Sequence, residues 1–404
     1  MLKKSIRDVS VKGKRCFVRV DFNVPMEERN DKMYITDETR IHDVIPTVDY
    51  LLKHEAKIIL CSHLGRPDGK PDPKQSLRPV CHRFSEITLH HIDFLNDCVG
   101  NRIRAKVMAM KAGEIVMLEN LRFHKEEEEN DPVFARQLAD LAEVYVNDAF
   151  GTAHRAHAST SGAPNLLMTP CVAGFLMQRE LEALGKELRF PSRPFLVILG
   201  GAKVSDKIGV ISALLQKANT ILIGGAMSYT FAAAKGMRVG DSMYEPDKID
   251  VARDILKQAE ERNVRVLLPK DHVVVQQLDF KRRYASETKV VSGEIPDGWR
   301  GVDIGPETIE AYSQEIADAM TILWNGPMGI FEIEECSKGT FAIAREIGEN
   351  QEAKSIVGGG DSITAVTKAG VRNKINFVST GGGATLEFLE GKPLPGVVAL
   401  DDLY

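Results

Sequence analysis

Short runs of Val, Ile and Leu recur along the whole chain, and stretches long enough to form a helix separate them. The runs do not alternate with polar residues, a pattern typical of strands that are buried on both faces of a parallel sheet. The clearest runs are residues 15–20, 56–61, 114–118, 143–146, 195–199, 220–223, 264–268, 320–323, 355–357 and 376–378. Strands that alternate with helices predict the α/β class, and we expect doubly wound, Rossmann-like parallel sheets.

The length of the chain and one unusual segment predict how it divides. A chain of 404 residues is too long for one ordinary hydrophobic core, so we expect two domains. Between them, Met177, Leu181, Leu184 and Leu188 form a single apolar stripe at helical spacing, which indicates a connecting helix with a hinge. The predicted division is residues 1–172, 173–189 and 190–384.

Charge and cysteine content exclude several classes of protein. The formal net charge of −5 and the pI near 6.1 argue against nucleic-acid binding, since such proteins usually present a basic face. The six cysteines lack the C-x-x-C spacing of zinc and redox sites, and scattered thiols are typical of a reducing cytosol. No run approaches the ~20 apolar residues that span a bilayer, and no signal peptide is recognisable. We therefore expect a cytoplasmic protein that binds neither nucleic acid nor membrane.

Polar clusters in the first half follow the predicted strands directly. Ligands of open parallel sheets bind beyond the carboxyl ends of the strands, so these residues should share one crevice. They are Asp21, Asn23, His63, Arg66, Arg122 and Arg155, with Arg40 from a neighbouring loop. Arginine forks match phosphate and carboxylate, so the set predicts a ligand with several negative charges, although any one arginine alone is explained by a surface ion pair. His154 and His157 are explained by packing or hydrogen bonding, and the acidic run 126–129 by a solvated face.

The second half repeats this arrangement with glycine. The strand at 195–199 leads into Gly200 and Gly201, followed by Lys203 and Lys207, and Ser205 is the predicted N-cap of a helix at 206–217. Backbone N–H groups and lysines at such a turn suit anionic phosphates. Further glycine turns follow later strands at 224–225, 326, 358–360 and 381–383. A single such turn is more simply a tight loop, and Asp361 fits either a divalent cation or a helix cap.

The standard nucleotide and hydrolase motifs are absent from the sequence. No G-x-x-x-x-G-K-[ST] occurs, which excludes an ordinary P-loop NTPase, and the H-R-D, G-x-S-x-G and H-E-x-x-H motifs are missing. The turn after the first strand, residues 21–25, lacks the G-x-G-x-x-G of a dinucleotide fold, so a dehydrogenase is not expected.

Seven collinear motifs resemble the phosphoglycerate kinase family, and the resemblance runs from about residue 15 to about residue 396. They are VDFNVP at 20–25, SHLGRP at 62–67, LENLRF at 118–123, NDAFGTAHRAH at 147–157, GGAKVSDK at 200–207, WNGP at 324–327 and GGGDS at 358–362. The resemblance implies reversible phosphoryl transfer from 1,3-bisphosphoglycerate to ADP, giving 3-phosphoglycerate and ATP, with Mg²⁺. It also implies that residues from about 385 to 404 return to the first domain.

The resemblance assigns a role to each group of residues. Those implied to bind the phosphoglycerate are Asp21, Asn23, Arg40, His63, Arg66, Arg122 and Arg155. Those implied to bind or border the nucleotide are Lys203, Lys207, Gly224, Gly225, Asn325, Glu332, Gly359, Gly360, Asp361 and Ser362, with Asp361 as the magnesium ligand. Domains 1–172 and 190–384 would then bind phosphoglycerate and nucleotide, respectively.

The chemistry of the implied reaction agrees with the residues. A carboxylate acceptor is ionised at neutral pH and needs no general base, which leaves positioning and charge stabilisation as the work of catalysis. We expect Arg40 and Lys203 to stabilise the transferring group and Lys207 to bind the nucleotide phosphates. Because the two sets of residues lie in different domains, we expect domain closure. We also expect a monomer, and the alternative is a non-catalytic nucleotide or phosphometabolite sensor on the same fold.

Overall fold

The protein consists of two compact units, each built on its own parallel sheet. The computed structural model describes residues 3–30 and 32–404, apart from the side chain of Lys186. The first unit runs to Glu182 and takes in Pro393–Tyr404, and the second unit is Ala183–Lys392. These limits differ from the predicted ones at 172, 189 and about 385. The difference arises because the helix that starts at Phe175 stays with the first unit, and the helix that ends at Leu389 packs in the second.

The first unit contains a six-stranded sheet in the order β5-β6-β4-β1-β7-β8, in which all the pairings are parallel. The strands of this unit are β1 (Arg15–Val20), β2 (Met26–Arg29), β3 (Lys32–Ile35), β4 (Lys57–Cys61), β5 (Ile92–Phe94), β6 (Ile115–Met117), β7 (Val144–Asp148) and β8 (Cys171–Ala173). Its helices before the second unit are α1 (Thr39–Lys53), α2 (Arg78–Thr88), α3 (Asn101–Met108), α4 (Lys125–Glu128), α5 (Pro132–Ala139), α6 (Ala163–Leu166) and α7 (Phe175–Glu182). Strands β2 and β3 form a separate antiparallel pair.

The second unit contains a six-stranded parallel sheet in the order β11-β10-β9-β17-β18-β19. Its strands are β9 (Phe195–Leu199), β10 (Thr220–Ile223), β11 (Arg265–Leu267), β12 (Asp271–Val275), β13 (Leu278–Asp279), β14 (Tyr284–Ala285), β15 (Lys289–Ser292), β16 (Arg300–Ile304), β17 (Thr321–Asn325), β18 (Lys354–Gly358) and β19 (Phe377–Ser379). Its helices are α8 (Ile208–Leu214), α9 (Met227–Ala234), α10 (Ile249–Glu261), α11 (Pro306–Asp318), α12 (Lys338–Glu349), α13 (Gly360–Lys368) and α14 (Gly383–Leu389). Strands β12, β15 and β16 form a small antiparallel sheet.

Local sequence explains why individual elements form where they do. The residues of β1 are buried from Cys16 to Val20, as expected for a strand covered on both faces. Helix α5 starts at Pro132, and the carboxylate of Asp131 accepts hydrogen bonds from the backbone N–H groups of Val133 and Phe134 at 2.9 and 2.8 Å. An aspartate N-cap followed by proline is a strong start signal for a helix.

The two α/β sheets confirm the predicted fold class, and every predicted strand overlaps an observed one. The short outer strands β5 and β8 and the small antiparallel sheet were not predicted. Helix α8 begins at Ile208 with Lys207 at its N-cap, so the predicted cap at Ser205 is wrong. The hydroxyl of Ser205 instead donates to Oε1 of Glu245 at 2.6 Å, which removes it from the end of the helix.

The C-terminal segment completes the first unit. It contains helix α15 (Pro395–Val398), and the backbone N–H of Gly396 donates to the carbonyl of Ala153 at 2.8 Å. The backbone N–H of Asp401 donates to the carbonyl of Cys171 at 2.8 Å, beside the edge strand β8. In the part of the chain that the structure describes, no helix combines the length and hydropathy needed to cross a membrane.

Strand order marks one favoured binding position in each sheet. In the first sheet the chain leaves β1 toward β4 on one side, while β7 lies on the other side. In the second sheet the same reversal falls between β9 and β17. Ligands of open α/β sheets bind beyond the carboxyl ends of the strands at such a reversal. The favoured binding positions are therefore formed by the residues that follow β1 and β7 in the first sheet and β9 and β17 in the second.

Candidate active site

The first unit gathers cationic and imidazole side chains at the carboxyl end of its sheet. We call Arg19, Arg40, His63, Arg122, Arg155 and His157 the basic cluster. Asp21, directly after β1, is buried and forms an ion pair with Arg40, whose side chain is one-third exposed. Asp21 therefore holds the Arg40 guanidinium at the mouth of the cluster, where it remains accessible to a ligand.

Asn23 and Arg122 meet at the turn that carries Gly65. The backbone N–H of Gly65 donates to Oδ1 of Asn23 at 2.9 Å, and Arg122 donates to the carbonyl of Gly65 at 2.8 Å. Arg122 is buried and also contacts Glu128 at 3.2 Å, and burial lowers the pKa of its guanidinium. One backbone turn thus joins residues from three separate segments of the chain.

His63 is a neutral group within the basic cluster. Burial, reinforced by Arg19, Arg122 and Arg40, holds the pKa of this ring well below its ordinary value. Burial and the neighbouring arginines likewise lower the pKa of His157 to about 3. Because charging either ring would add a cation beside several others, both imidazoles act as polar, uncharged groups at neutral pH.

Two buried charges in this region escaped the sequence analysis. Arg19 is 1% exposed and donates to the hydroxyl of Ser159 at 2.8 Å, and that hydroxyl donates to Oε1 of Glu127 at 2.6 Å. Glu127 is fully buried, and burial raises the pKa of its carboxyl. The run 126–129 was predicted to be solvated, and that prediction is wrong for Glu127. Through the hydroxyl of Ser159, Glu127 is linked to Arg19 of the basic cluster.

Arg155 and Arg66 complete the first set of predicted residues. Arg155 is half-buried, donates to Nε2 of His154 at 3.3 Å, and lies near enough to Arg122 and His157 to lower the pKa of both. Arg66 is exposed and directly follows Gly65. This concentration of positive charge, partly offset by Asp21, Glu127 and Glu128, suits a small ligand that carries phosphate and carboxylate groups.

In the second unit, turns after neighbouring strands interlock through glycine. The backbone N–H of Gly200 donates to the carbonyl of Asn325 at 3.1 Å, and that of Gly201 donates to the carbonyl of Pro327 at 3.0 Å. A Cβ at Gly200 would lie 2.0 Å from the carbonyl oxygen of Pro327, and one at Gly326 would lie 2.2 Å from the carbonyl oxygen of Gly200. These glycines are required because backbone packs directly on backbone.

Other glycines of this unit face space in which a ligand can approach. A Cβ at Gly201 or Gly360 would meet no atom of the described residues within 4 Å. At Gly224, in contrast, it would lie 2.4 Å from the sulfur of Met328, and at Gly225 it would lie 2.5 Å from the backbone of Gly201. Gly224 and Gly225 are therefore packed against neighbouring residues, whereas Gly201 and Gly360 border open space.

Lys207 provides the central positive charge of the second site. Its ammonium group donates to Oδ1 of Asn325, the buried last residue of β17. Burial lowers the pKa of Lys207 to about 8, and the carboxylates of Asp206 and Asp361 oppose that effect. Lys207 is thus a partly desolvated cation at the N-terminus of α8, where an anion is doubly favoured.

Helix α13 starts beside this lysine. Gly359 is its N-cap with a φ of 90°, a conformation that L side chains rarely adopt, and Asp361 lies exposed in the first turn. The hydroxyl of Ser362 is buried and accepts a hydrogen bond from the backbone N–H of Gly326 at 2.7 Å. The start of the helix is therefore tied to the turn after β17.

Asp361 also fits a magnesium ion. Mg²⁺ is usually bound by one or two carboxylates together with substrate phosphates, and it keeps several waters. An exposed carboxylate close to Lys207 and to open backbone at Gly360 meets that requirement.

The structure joins most, but not all, of the residues predicted for the second site. Lys207, Asn325 and Asp361 are in electrostatic or hydrogen-bond contact, and Ser362 is bonded to the turn beside Asn325. Lys203 and Glu332 are both exposed, and within residues 3–30 and 32–404 neither side chain forms a hydrogen bond or an ion pair with Lys207.

Comparisons with known proteins point in one direction. Residues 6–392 match the family described as phosphoglycerate kinase. The chain is 52% identical over 408 residues to the phosphoglycerate kinase of Acidobacterium capsulatum, with 100% of both chains covered. It is 52% identical over 402 residues to that of Moorella thermoacetica, again with 100% of both chains covered.

Solved structures give the same picture. The phosphoglycerate kinase structure from Coxiella burnetii has a TM-score of 0.88 and 37% identity and covers 98% of both chains. That from Pyrococcus horikoshii has a TM-score of 0.82 and 32% identity, also over 98% of both chains. The similarity therefore extends across both units.

Proposed function

The chain belongs to the phosphoglycerate kinase family, and we propose that the two sets of residues described above carry that family's reaction. The protein is a phosphotransferase with a carboxyl group as acceptor. It transfers a phosphoryl group reversibly between 1,3-bisphosphoglycerate and ADP, giving 3-phosphoglycerate and ATP, in glycolysis. The observation that carries the assignment of the sites is the basic cluster at the carboxyl end of the first sheet, with neutral His63 inside it.

We assign phosphoglycerate to the first unit. Its phosphate and carboxylate match arginine forks, and neutral His63 and the amide of Asn23 add uncharged hydrogen-bonding groups. Asp21 supports this set by orienting Arg40. The residues proposed to bind phosphoglycerate are Asp21, Asn23, Arg40, His63, Arg66, Arg122 and Arg155.

We assign the nucleotide to the second unit. Open backbone at Gly360, the N-terminus of α13 and the Lys207 ammonium together suit a chain of phosphates. The residues proposed to bind or border the nucleotide are Lys203, Lys207, Gly224, Gly225, Asn325, Glu332, Gly359, Gly360, Asp361 and Ser362. Mg²⁺ bound with the nucleotide would neutralise charge on the phosphates, and Asp361 would hold it.

Catalysis in this proposal rests on position and charge. The acceptor carboxylate is ionised at neutral pH and needs no base, which agrees with the neutral state of His63 and His157. Arg40 and Lys203 stabilise the charge on the transferring group, and Lys207 holds the phosphates of the nucleotide. Loss of one such donor is expected to reduce kcat by roughly a hundredfold or more.

Domain closure is the remaining step of the proposal. Each unit by itself presents residues for one reactant, so transfer requires that the two reactants be brought into line and shielded from water. Small-angle X-ray scattering should give a smaller radius of gyration with 3-phosphoglycerate and a non-hydrolysable ATP analogue than with either alone. An unchanged radius would contradict closure.

A coupled assay tests the function directly. The protein should form ATP from 1,3-bisphosphoglycerate and ADP, and Arg40→Ala and Lys203→Ala should each lower kcat far more than either KM. A protein that binds both ligands without turnover would instead be a sensor, an alternative that no observation favours. We further propose a cytoplasmic location, supported by the glycolytic reaction and by six buried free thiols, and a monomeric state.

A further inference from the structure

Asp97, Cys98 and His124 lie together at one edge of the first sheet, outside the basic cluster. Asp97 and Cys98 follow β5, and His124 follows the turn that comes after β6. Because β5 and β6 are paired and parallel, their carboxyl ends bring these two segments side by side. One potential ligand atom from each of the three side chains lies within 4.8 Å of the other two.

The three side chains differ in their access to solvent. The side chains of Asp97 and His124 are 49% and 30% exposed, whereas Cys98 is buried. Nε2 of His124 lies 2.8 Å from Oδ1 of Asp97, and the same oxygen accepts the backbone N–H of Cys98 at 2.7 Å. The ring centroids of Phe134 and His124 are 5.1 Å apart, and this packing limits the rotation of the imidazole. An ion bound to the two outer groups would therefore lie within reach of the buried sulfur.

The donor set is selective. Nitrogen, oxygen and sulfur together match Zn²⁺ and related transition metals, whereas Mg²⁺ and Ca²⁺ take oxygen ligands. Three protein ligands with a fourth position open to water is a known arrangement for Zn²⁺. Tetrahedral metal–ligand distances of roughly 2.0–2.3 Å place ligand atoms about 3.3–3.7 Å apart, so the Asp97–His124 pair needs to open only slightly.

We propose that Asp97, Cys98 and His124 bind a divalent transition metal of the zinc type. As the metal–sulfur bond forms, the Cys98 thiol releases its proton to solvent, and the ring nitrogen that binds the metal releases any proton it carries. The Asp97–His124 hydrogen bond is exchanged for two metal–ligand bonds, and no group is oxidised or reduced. Burial raises the pKa of the thiol well above its ordinary value, so the metal must displace this proton to bind.

The site lies close to the proposed phosphoglycerate pocket. His124 is separated from Arg122 by one residue. The turn Leu121–Phe123 contains Arg122 and ends directly before His124. A metal held by Asp97 and His124 would fix the end of this turn. The proposal itself concerns binding, and its test needs no measurement of turnover.

Co²⁺ is the probe for the test, because a cobalt–thiolate bond gives a charge-transfer band in the near ultraviolet. The full chain, reduced and freed of metal, is titrated with Co²⁺ without nucleotide, and Zn²⁺ is then added to displace it. We expect one Co²⁺ per chain, a thiolate band that Zn²⁺ abolishes, and a higher Tm with Zn²⁺. Absence of the band in the unaltered protein would overturn the proposal.

Matched variants assign the ligands. Asp97→Asn and His124→Gln should each weaken Co²⁺ binding at least about tenfold, and Cys98→Ser should lose the band. His91→Gln is the control for histidine, since His91 pairs with Asp93 at 3.1 Å in the same way but, among the residues that the structure describes, belongs to no such cluster. Cys81→Ser, which removes another buried thiol, and Asp361→Asn should both leave the band unchanged.

These variants remain decisive even if Cys98→Ser does not fold. Asp97→Asn and His124→Gln change partly exposed side chains and keep the thiol, so loss of the band in both supports the site. If the Co²⁺ concentration that half-saturates the band is unchanged in both, or if His91→Gln raises it as much as His124→Gln does, the proposal is wrong.

Discussion

The guanidinium of Arg19 donates a hydrogen bond to Nδ1 of His63 across 3.2 Å. Arginine has no acceptor atom, so Nδ1 must be the acceptor, and the proton of the neutral ring is carried by Nε2. The low pKa of the ring agrees with this arrangement. A buried arginine thus sets the tautomer of the histidine, and His63 offers an N–H donor in place of a positive charge.

The first prediction concerns that tautomer. In the protein without substrate, we expect His63 to carry its proton on Nε2 at neutral pH and to stay neutral as the pH falls through the ordinary histidine pKa. Long-range ¹H–¹⁵N spectra of histidine-labelled protein would measure it, with His63→Gln used to assign the signal. A titration of His63 with a midpoint near the ordinary histidine value would contradict the prediction.

The second prediction concerns stability in acid. The pKa of His157 is about 3 in the folded protein, so below the ordinary histidine value of roughly 6.5 the unfolded chain binds more protons than the folded one. Stability should therefore fall as the pH drops, by about 1.4 kcal/mol per unit for this residue. Urea unfolding at pH 7 and pH 5 should show His157→Gln losing about 2 kcal/mol less than the unaltered protein. Equal losses in the two proteins would count against the low pKa.

The third prediction separates the two proposed substrates. Arg122→Ala should raise the KM for 3-phosphoglycerate by roughly a hundredfold and leave the KM for ATP nearly unchanged, because the buried guanidinium lies in the basic cluster of the first unit. Arg136→Ala, which removes an exposed arginine from α5, is the control and should change neither value. Equal effects of Arg122→Ala on both KM values would argue against the assignment.

The fourth prediction follows from the pKa of Lys207. Because this pKa is about 8 in the free protein, the lysine loses its charge as the pH rises through that value. The kcat/KM for ADP should therefore decline above pH 8, and Lys207→Arg should move the decline to higher pH, since arginine stays charged. Steady-state rates from pH 6.5 to 9.5 at saturating 1,3-bisphosphoglycerate would measure this. An identical profile for the two proteins would exclude Lys207 as the source.

The fifth prediction contrasts two glycines. Gly200→Ala forces a methyl group against the backbone of Pro327 and should lower the Tm markedly. Gly360→Ala places its methyl group in open space at the start of α13, so the fold should be retained while the KM for ATP rises. Thermal unfolding and steady-state kinetics on the same samples separate the two effects. An unchanged Tm for Gly200→Ala would show that the turn at Pro327 can move to accommodate the methyl group, contrary to the prediction.

The sequence predicted strands well where burial covers both faces of a long run. Strand β9 was predicted with the observed limits because its residues are apolar without a break, and β1 was predicted with the observed limits although it contains Arg15 and Arg19. Strands β5 and β8 were missed, since their three residues each, Ile92–Phe94 and Cys171–Ala173, contain no run of Val, Ile and Leu. Their pairing with β6 and β7 places these two strands in the sheet, and no local pattern in their own residues records that pairing.

The sequence analysis proposed site residues that stand at the ends of strands. It missed charged residues whose role depends on their burial in the folded chain. Asp21 directly follows β1 and was proposed from that position, whereas Asn325, the last residue of β17, was implied as a neighbour of the nucleotide by the family resemblance. Arg19 lies within β1 and Glu127 within a run of acids, so each looks like a solvent-facing charge until the fold encloses it. The prediction of a cap at Ser205 failed because a distant acceptor, Glu245, takes its hydroxyl.

The return of residues 393–404 to the first unit has a consequence for how the protein is made. The second unit is a continuous stretch of chain and can form its contacts as soon as it leaves the ribosome. The first unit must wait for Asp401 to reach Cys171 and for Gly396 to reach Ala153. The half of the protein that is translated first is therefore the half that can finish folding only after the second unit has been translated.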